Sequence, residues 1–189
     1  HSPQVGGFTN LPFDHLTFEP VLIEYIKSLQ LDVKDIIVMA PDVGAVKRAE
    51  KYASYLKCDF GFISKKRVGD DKVELQSIIG DVKDKYAIII DDLTESCGTL
   101  IQAAEACKNN GAKHVIAVVT HGCITDTGVN RLENALVNKV IDEFVFSNTA
   151  NIAKNTKLAD RITELDVSMV FANAINNIHN NESVSELFV

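Results

Sequence analysis

Tyr86-Ala87-Ile88-Ile89-Ile90-Asp91-Asp92-Leu93-Thr94-Glu95-Ser96-Cys97-Gly98-Thr99 is the stretch on which the fold turns. Its first five residues are apolar and rich in β-branched side chains, with polar residues on either side. That is the pattern of a parallel strand covered on both faces. Two acids stand at the strand's carboxyl end. A run of small and hydroxyl residues then opens a helix predicted over 99–109. Asn109-Asn110-Gly111 stops that helix, because glycine accepts a left-handed cap.

Working outward, residues 17–29 carry apolar side chains three and four apart and read as a helix. Residues 35–40 form a short apolar run ending at Pro41, a buried strand. Val43, Val46, Ala49, Ala53 and Leu56 repeat at helical spacing. Further strands are predicted at 60–63, 114–119 and 139–146, a last helix at 170–179, and a charged loop over 65–71. Strands alternating with helices imply an α/β fold: an open, mainly parallel sheet with helices on both faces. No linker divides 30–180. Residues 30–189 are therefore expected to form one domain, with 1–29 as an amino-terminal segment continuing from a preceding domain. The opening His1-Ser2-Pro3-Gln4 lacks an initiating Met.

Composition narrows the function classes. The 189 residues are 46% hydrophobic and 24% charged, an ordinary globular mix. Acidic residues outnumber basic ones, 26 against 19, for a net charge of −7, which argues against a nucleic-acid-coating protein. There is no apolar run of the ~18 residues a membrane helix needs. Cys58, Cys97, Cys107 and Cys123 have no metal-ligand spacing, and the amino end does not read as a signal peptide. Free thiols in the cytoplasm are the expectation.

The loop after the central strand carries chemistry. Backbone N–H groups at a helix start make an anion site, to which Ser96 and Thr99 add hydroxyls. Gly98 lets the backbone approach the anion closely. Asp91 and Asp92 repel phosphate but suit sugar hydroxyls, or a metal held by that sugar. Together these parts describe a sugar-phosphate site. The plain alternative, an N-capped helix after an acidic turn, accounts for Asp-Asp alone but not for the Ser-Cys-Gly-Thr that follows. Lys65-Lys66-Arg67 reads on composition alone as a solvated basic turn. Asp42, between a strand and a helix, suits an N-cap or a Mg²⁺ ligand. His121 follows a strand with no nucleophile or second ligand beside it, and Cys97 is expected to pack.

The 88–99 segment resembles the phosphoribosyl diphosphate-binding motif of type I phosphoribosyltransferases. Other segments are similar to the ribose-phosphate diphosphokinase family: 40–49 (Ala-Pro-Asp-Val-Gly-Ala-Val-Lys-Arg-Ala), Gly111–Val115, Thr120-His121-Gly122, Ser147-Asn148-Thr149, and the tail Glu182–Phe188. The amino end, through Gly7-Phe8, Leu11-Pro12, Asp14 and Glu19-Pro20, continues the likeness.

The resemblance implies a type I phosphoribosyltransferase-like fold and a homo-oligomer acting on ATP and ribose 5-phosphate with Mg²⁺. It implies catalytic roles for Lys65 and Arg67. Substrate binding falls to Asp91, Asp92, Thr94, Glu95, Ser96, Cys97, Gly98 and Thr99, and metal binding to His1 and Asp42. Ser183 and Ser185 would hold a regulatory anion if the tail is extended, with basic groups supplied by a neighbouring chain. Glu95-Ser96 stands where the family has Asp-Thr, and Ile124–Gly128 departs from the family's Phe-Ser-Gly-Pro. A non-catalytic regulatory subunit and a phosphoribosyltransferase acting on a base are the alternative readings. No nucleic-acid or membrane partner is implied.

Overall fold

The computed structural model describes residues 1–68, 73–150 and 159–187. Seven strands are described: β1 Ile36–Ala40, β2 Asp59–Val68, β3 Val73–Ile79, β4 Tyr86–Thr94, β5 His114–Gly122, β6 Glu143–Ser147 and β7 Ile162–Leu165. Their order across the sheet is β3-β2-β1-β4-β5-β6-β7. Every neighbouring pair is parallel except β2 and β3, which run antiparallel. The helices are α1 Glu19–Ser28, α2 Val46–Leu56, α3 Gly98–Asn109, α4 Asp126–Val137 and α5 Ser168–His179.

Alternation along the strands feeds two cores. Ile88 and Ile90 of β4 join Val38, Ile116 and Val118 on the face covered by Leu22 and Ile26 of α1 and Ala49, Tyr52 and Ala53 of α2. Ala87 and Ile89 join Met39, Ala117 and Val119 on the other face, against Leu100 and Ala104 of α3 and Leu132 and Leu136 of α4. Side chains two residues apart share a face, so a continuous apolar run serves both cores at once. Ile88, Ile89 and Ile90 are almost wholly buried. Each contributes about 1.5–3 kcal/mol relative to an exposed side chain. The sheet's central strands, which carry the acids, are thus its firmest part.

Several expectations are corrected. Residues 65–68 are strand, not loop: β2 continues through Val68 and pairs with β3, Lys65 opposite Gln76 and Arg67 opposite Glu74. The rest of the predicted loop, 69–71, lies outside the described residues. The strand expected at 139–146 is Glu143–Ser147, preceded by a turn in which Lys139 takes a positive φ of 55°. Strands β3 and β7 and helix α4 were not predicted. α4 was hidden by the glycine in its first turn, yet Leu132, Ala135 and Leu136 show helical spacing and are buried. Thr125 caps α4, its Oγ1 accepting from the Gly128 N–H at 3.2 Å. The tail is not extended, because Ser185–Leu187 forms a 3-10 turn. Alternation therefore does not set Ser183 and Ser185 on one side. Phe188 lies outside the described residues.

Candidate functional site

From β1 the chain crosses to β2 on one side, and β4 pairs with β1 on the other. The strand order therefore reverses between β1 and β4. In open parallel sheets that reversal, at the carboxyl ends, is where a crevice opens for ligands. Asp42 follows β1, and Asp91 and Asp92 lie within the last turnout of β4.

Arg48, in the first turn of α2, reaches across the crevice. Its Nη1 donates to Asp91 Oδ1 at 3.1 Å and its Nη2 to Asp92 Oδ2 at 2.8 Å. The Asp92 N–H also donates to Asp91 Oδ1, at 2.9 Å. One guanidinium thus takes one oxygen from each acid. Burial, and after it the neighbouring charge of Asp92, pushes Asp91 up to about 6, while the Asp92 N–H and Arg48 pull the other way. Sequence reasoning quoted Arg48 within a motif and gave it no role. The available signal was a cation one turn into the helix after β1, facing acids at the end of the next strand.

The 94–99 segment turns directly into α3. Thr94 and Cys97 are buried and Ser96 is exposed. Cys97 holds a left-handed conformation, φ 58°, at the helix start, unusual for a residue with a side chain. Burial raises its thiol above the ordinary value, consistent with a packed cysteine. The Gly98 N–H leans on Ser96 Oγ at 3.4 Å, and the first helical bond runs from the Ile101 N–H to the Cys97 carbonyl at 2.9 Å. The N–H groups of Thr99 and Leu100 therefore lack helical acceptors, the usual state of a helix start. α4 pins the segment from outside, since the Thr125 N–H donates to the Glu95 carbonyl at 3.0 Å.

Beside Asp92 lies a cavity of about 210 Å³, lined among others by His1, Arg48, Tyr52, Asp92, His121 and Phe171. His121, set aside on sequence grounds, is tied into the strand ends. Its Nδ1 lies 2.8 Å from Thr149 Oγ1, and Ser147 Oγ donates to the Thr120 carbonyl at 2.6 Å. Burial holds the His121 ring below its ordinary value.

The structure brings His1 and Asp92 to this cavity, while Asp42 is not among its lining residues. Asp42 acts as an N-cap, its Oδ1 accepting from the Ala45 N–H at 3.2 Å. Lys65 and Arg67 stand on the β2–β3 ribbon at the sheet's edge. Ser183 and Ser185 follow α5, where Asn177 Nδ2 donates to the Ser183 carbonyl at 2.8 Å.

An open sheet of this order, with acids at the switch point and a hydroxyl-rich turn into the next helix, has the type I phosphoribosyltransferase-like fold. The chain aligns with a crystal structure of phosphoribosylpyrophosphate synthetase from Mycobacterium smegmatis at a TM-score of 0.79 and 31% identity, over 95% of this chain and 56% of that one. Within that fold, the chain belongs to the phosphoribosyl synthetase-associated domain family, whose sequence model matches residues 67–189. It is 39% identical to a ribose-phosphate pyrophosphokinase of Fusobacterium nucleatum, covering 100% of this chain and 58% of that protein. It is 38% identical to ribose-phosphate pyrophosphokinase 3 of Saccharomyces cerevisiae, covering 100% and 57%. The chain thus spans little more than half the length of these relatives. Among the described residues no helix is long and apolar enough to cross a membrane.

Proposed function

We propose that the chain is the ribose-phosphate-binding part of a cytoplasmic ribose-phosphate pyrophosphokinase, which converts ATP and ribose 5-phosphate to AMP and 5-phosphoribosyl 1-diphosphate. One observation carries the reading: the acid pair lies near the carboxyl end of β4, and the same strand runs through Thr94 into the turn that opens α3. The ribose hydroxyls donate to Asp91 and Asp92, and the 5-phosphate rests over Ser96–Thr99, with Thr94 and Glu95 shaping the turn. The anomeric oxygen attacks the β-phosphorus in line and forms an O–P bond as the bond from that phosphorus to the α–β bridging oxygen breaks; AMP leaves and the hydroxyl proton passes to water. Lys65 and Arg67 neutralise the charge that spreads over the phosphate oxygens.

Among the described residues no three His, Cys, Asp or Glu side chains gather as a metal cluster. Mg²⁺ takes few protein carboxylates and completes its shell with water and substrate phosphates, so a single carboxylate such as Asp42 suits it. His1 and the free side of Asp42 are the residues proposed to hold it, and when bound it supplies positive charge to the triphosphate. We assign residues 30–189 to the ribose-phosphate domain, with 1–29 leading in from a preceding one. The exposed apolar residues Met169, Phe171, Ile175 and Ile178 of α5 support an oligomer or domain contact. Ser183 and Ser185 are proposed to contribute to a regulatory anion site.

The test is calorimetric titration of the chain with ribose 5-phosphate, alongside Asp92→Asn. The expected result is binding by the parent and an affinity at least tenfold lower in the variant. Equal affinity with the fold intact removes the acid pair from the site. Binding without AMP formation by the complete protein would favour a regulatory subunit.

A further inference from the structure

We infer that Arg48 is a positioning residue of the ribose site, bridging Asp91 and Asp92 so that both carboxylates stay oriented and ready to accept hydrogen bonds from sugar hydroxyls. This rests on the ribose-phosphate reading above. The ground is geometric. One guanidinium contacts both acids, at 3.1 Å and 2.8 Å, across the gap between α2 and β4. Arg48 therefore secures one oxygen of each carboxylate and leaves the other outside the fork.

Two adjacent, partly buried carboxylates repel each other and either turn apart or share a proton. A carboxyl that keeps its proton donates through that oxygen, where a sugar hydroxyl needs an acceptor. A planar cation with several N–H donors solves both problems at once, whereas a lysine ammonium is a point charge and does not hold two acids in a fixed geometry. The groups facing Asp91 act in both directions: burial, and after it Asp92 on its own strand, push its carboxyl toward the protonated form, while the Asp92 N–H and, more weakly, Arg48 of α2 pull it back. Arg48 is itself well placed. It sits in the first turn of α2, and the next turn carries Tyr52, which is 3% exposed. Side chains of Arg48, Asp91 and Asp92 are 30%, 18% and 33% exposed. A pair this partly exposed adds only modestly to folding stability, and its clearest effect is on the orientation of the two acids.

The test titrates the full chain with ribose 5-phosphate and, separately, with inorganic phosphate, in Arg48→Gln, Arg48→Lys and Asp92→Asn. Arg48→Gln is expected to weaken ribose 5-phosphate binding at least tenfold and Arg48→Lys by a smaller factor. Both should leave inorganic phosphate within twofold of the parent, because the phosphate rests on Ser96–Thr99 rather than on Arg48. In Arg48→Gln the pH below which ribose 5-phosphate binding fails should also move upward, a change that simple loosening of the fold would not produce. Unchanged or tighter sugar-phosphate binding in both Arg48 variants, with Asp92→Asn impaired, overturns the inference and leaves the ribose-phosphate reading standing. Equal losses for ribose 5-phosphate and phosphate reduce Arg48 to a structural role and overturn it too. If Asp92→Asn also binds normally, the reading itself fails. Arg48→Lys keeps charge and length, so it decides the matter if the glutamine variant does not fold.

Discussion

The carboxyl end of β4 and the β2–β3 ribbon are both proposed to serve one reaction, yet they are built in opposite ways. β4 lies between parallel neighbours, and its last residues project acids that are held from the side by Arg48. Among the described strands the ribbon is the one antiparallel pair, and it stands at the sheet's edge, with Lys65 and Arg67 opposite Gln76 and Glu74. A strand paired on both sides and buried on both faces fixes a group closely. A ribbon at the sheet's edge has fewer paired neighbours. On the proposed reading, the first region recognises the sugar phosphate and the second stabilises the transferring group. Binding groups gain from a rigid scaffold, and groups that act in the transition state need only arrive there.

The sharpest way to break that division is at the ribbon. Lys65→Ala and Arg67→Ala, each in the complete protein, should lower kcat by about 100-fold or more, the magnitude seen when one preorganised charge-stabilising donor is lost. The KM for ribose 5-phosphate should change by less than about threefold. Steady-state kinetics checks this. A rise in KM with kcat intact would move the ribbon to the binding side of the comparison.

Two glycines offer a matched pair, Gly128 of α4 against the segment after β4 and Gly61 within the ribbon. A Cβ at Gly128 would lie 2.2 Å from the Glu95 carbonyl oxygen, and one at Gly61 would lie 2.2 Å from the Ile79 carbonyl oxygen. In both cases backbone must move, so each Ala substitution should destabilise the chain by about 1–3 kcal/mol in denaturant unfolding. Their effects on ligand should part. Gly128→Ala pushes on the segment that leads into α3 and should weaken inorganic phosphate binding severalfold. Gly61→Ala disturbs the β2–β3 crossing and should leave phosphate binding alone. If both variants bind phosphate equally, α4 does not brace the phosphate turn.

Legibility in the sequence followed the same divide. The central strands and the helices α1, α2, α3 and α5 could be read because each shows a strong period or a continuous apolar run. The segment from Asp91 to Thr99 could be read as a strand turning into a helix, and proposed as a sugar-phosphate site, because its residue types fall in strand, acid, hydroxyl and glycine order. The ribbon could not: Lys65-Lys66-Arg67 is charged enough to look like a loop, and antiparallel pairing with β3 is a tertiary contact that a charge run does not announce. β7 is only four residues, too short for its alternation to stand out. Arg48 was visible as a residue but not as a partner. Its link to Asp91 and Asp92 spans 43 and 44 residues and exists only once β1 and β4 lie side by side. Local patterns fix elements, whereas pairing across the switch point is fixed by topology.

The smallest expected effect concerns stability rather than ligand. The Asp91 carboxyl lies near 6 in the folded chain, against an ordinary value of 3.8. The folded state therefore holds a proton that the unfolded state has lost across roughly pH 4 to 6. Wherever the folded state binds more protons, stability falls as pH rises, so the contribution of Asp91 is unfavourable above about pH 6 and vanishes below about pH 4. A shift of about two units corresponds to at most ~3 kcal/mol. Partial exposure and sharing with Asp92 bring the expected figure to about 1–2 kcal/mol. Asp91→Asn carries no charge at either pH and still leaves Arg48 its partner in Asp92. It should melt about 2–8 °C above the parent at pH 7.5, and the difference should close near pH 4. The same variant should bind ribose 5-phosphate more weakly, so the acid would persist for function at the expense of the fold. A lower melting temperature at pH 7.5, or a gap that does not change with pH, would show that Arg48 already offsets the burial of Asp91, and that the end of β4 carries no strain of this kind.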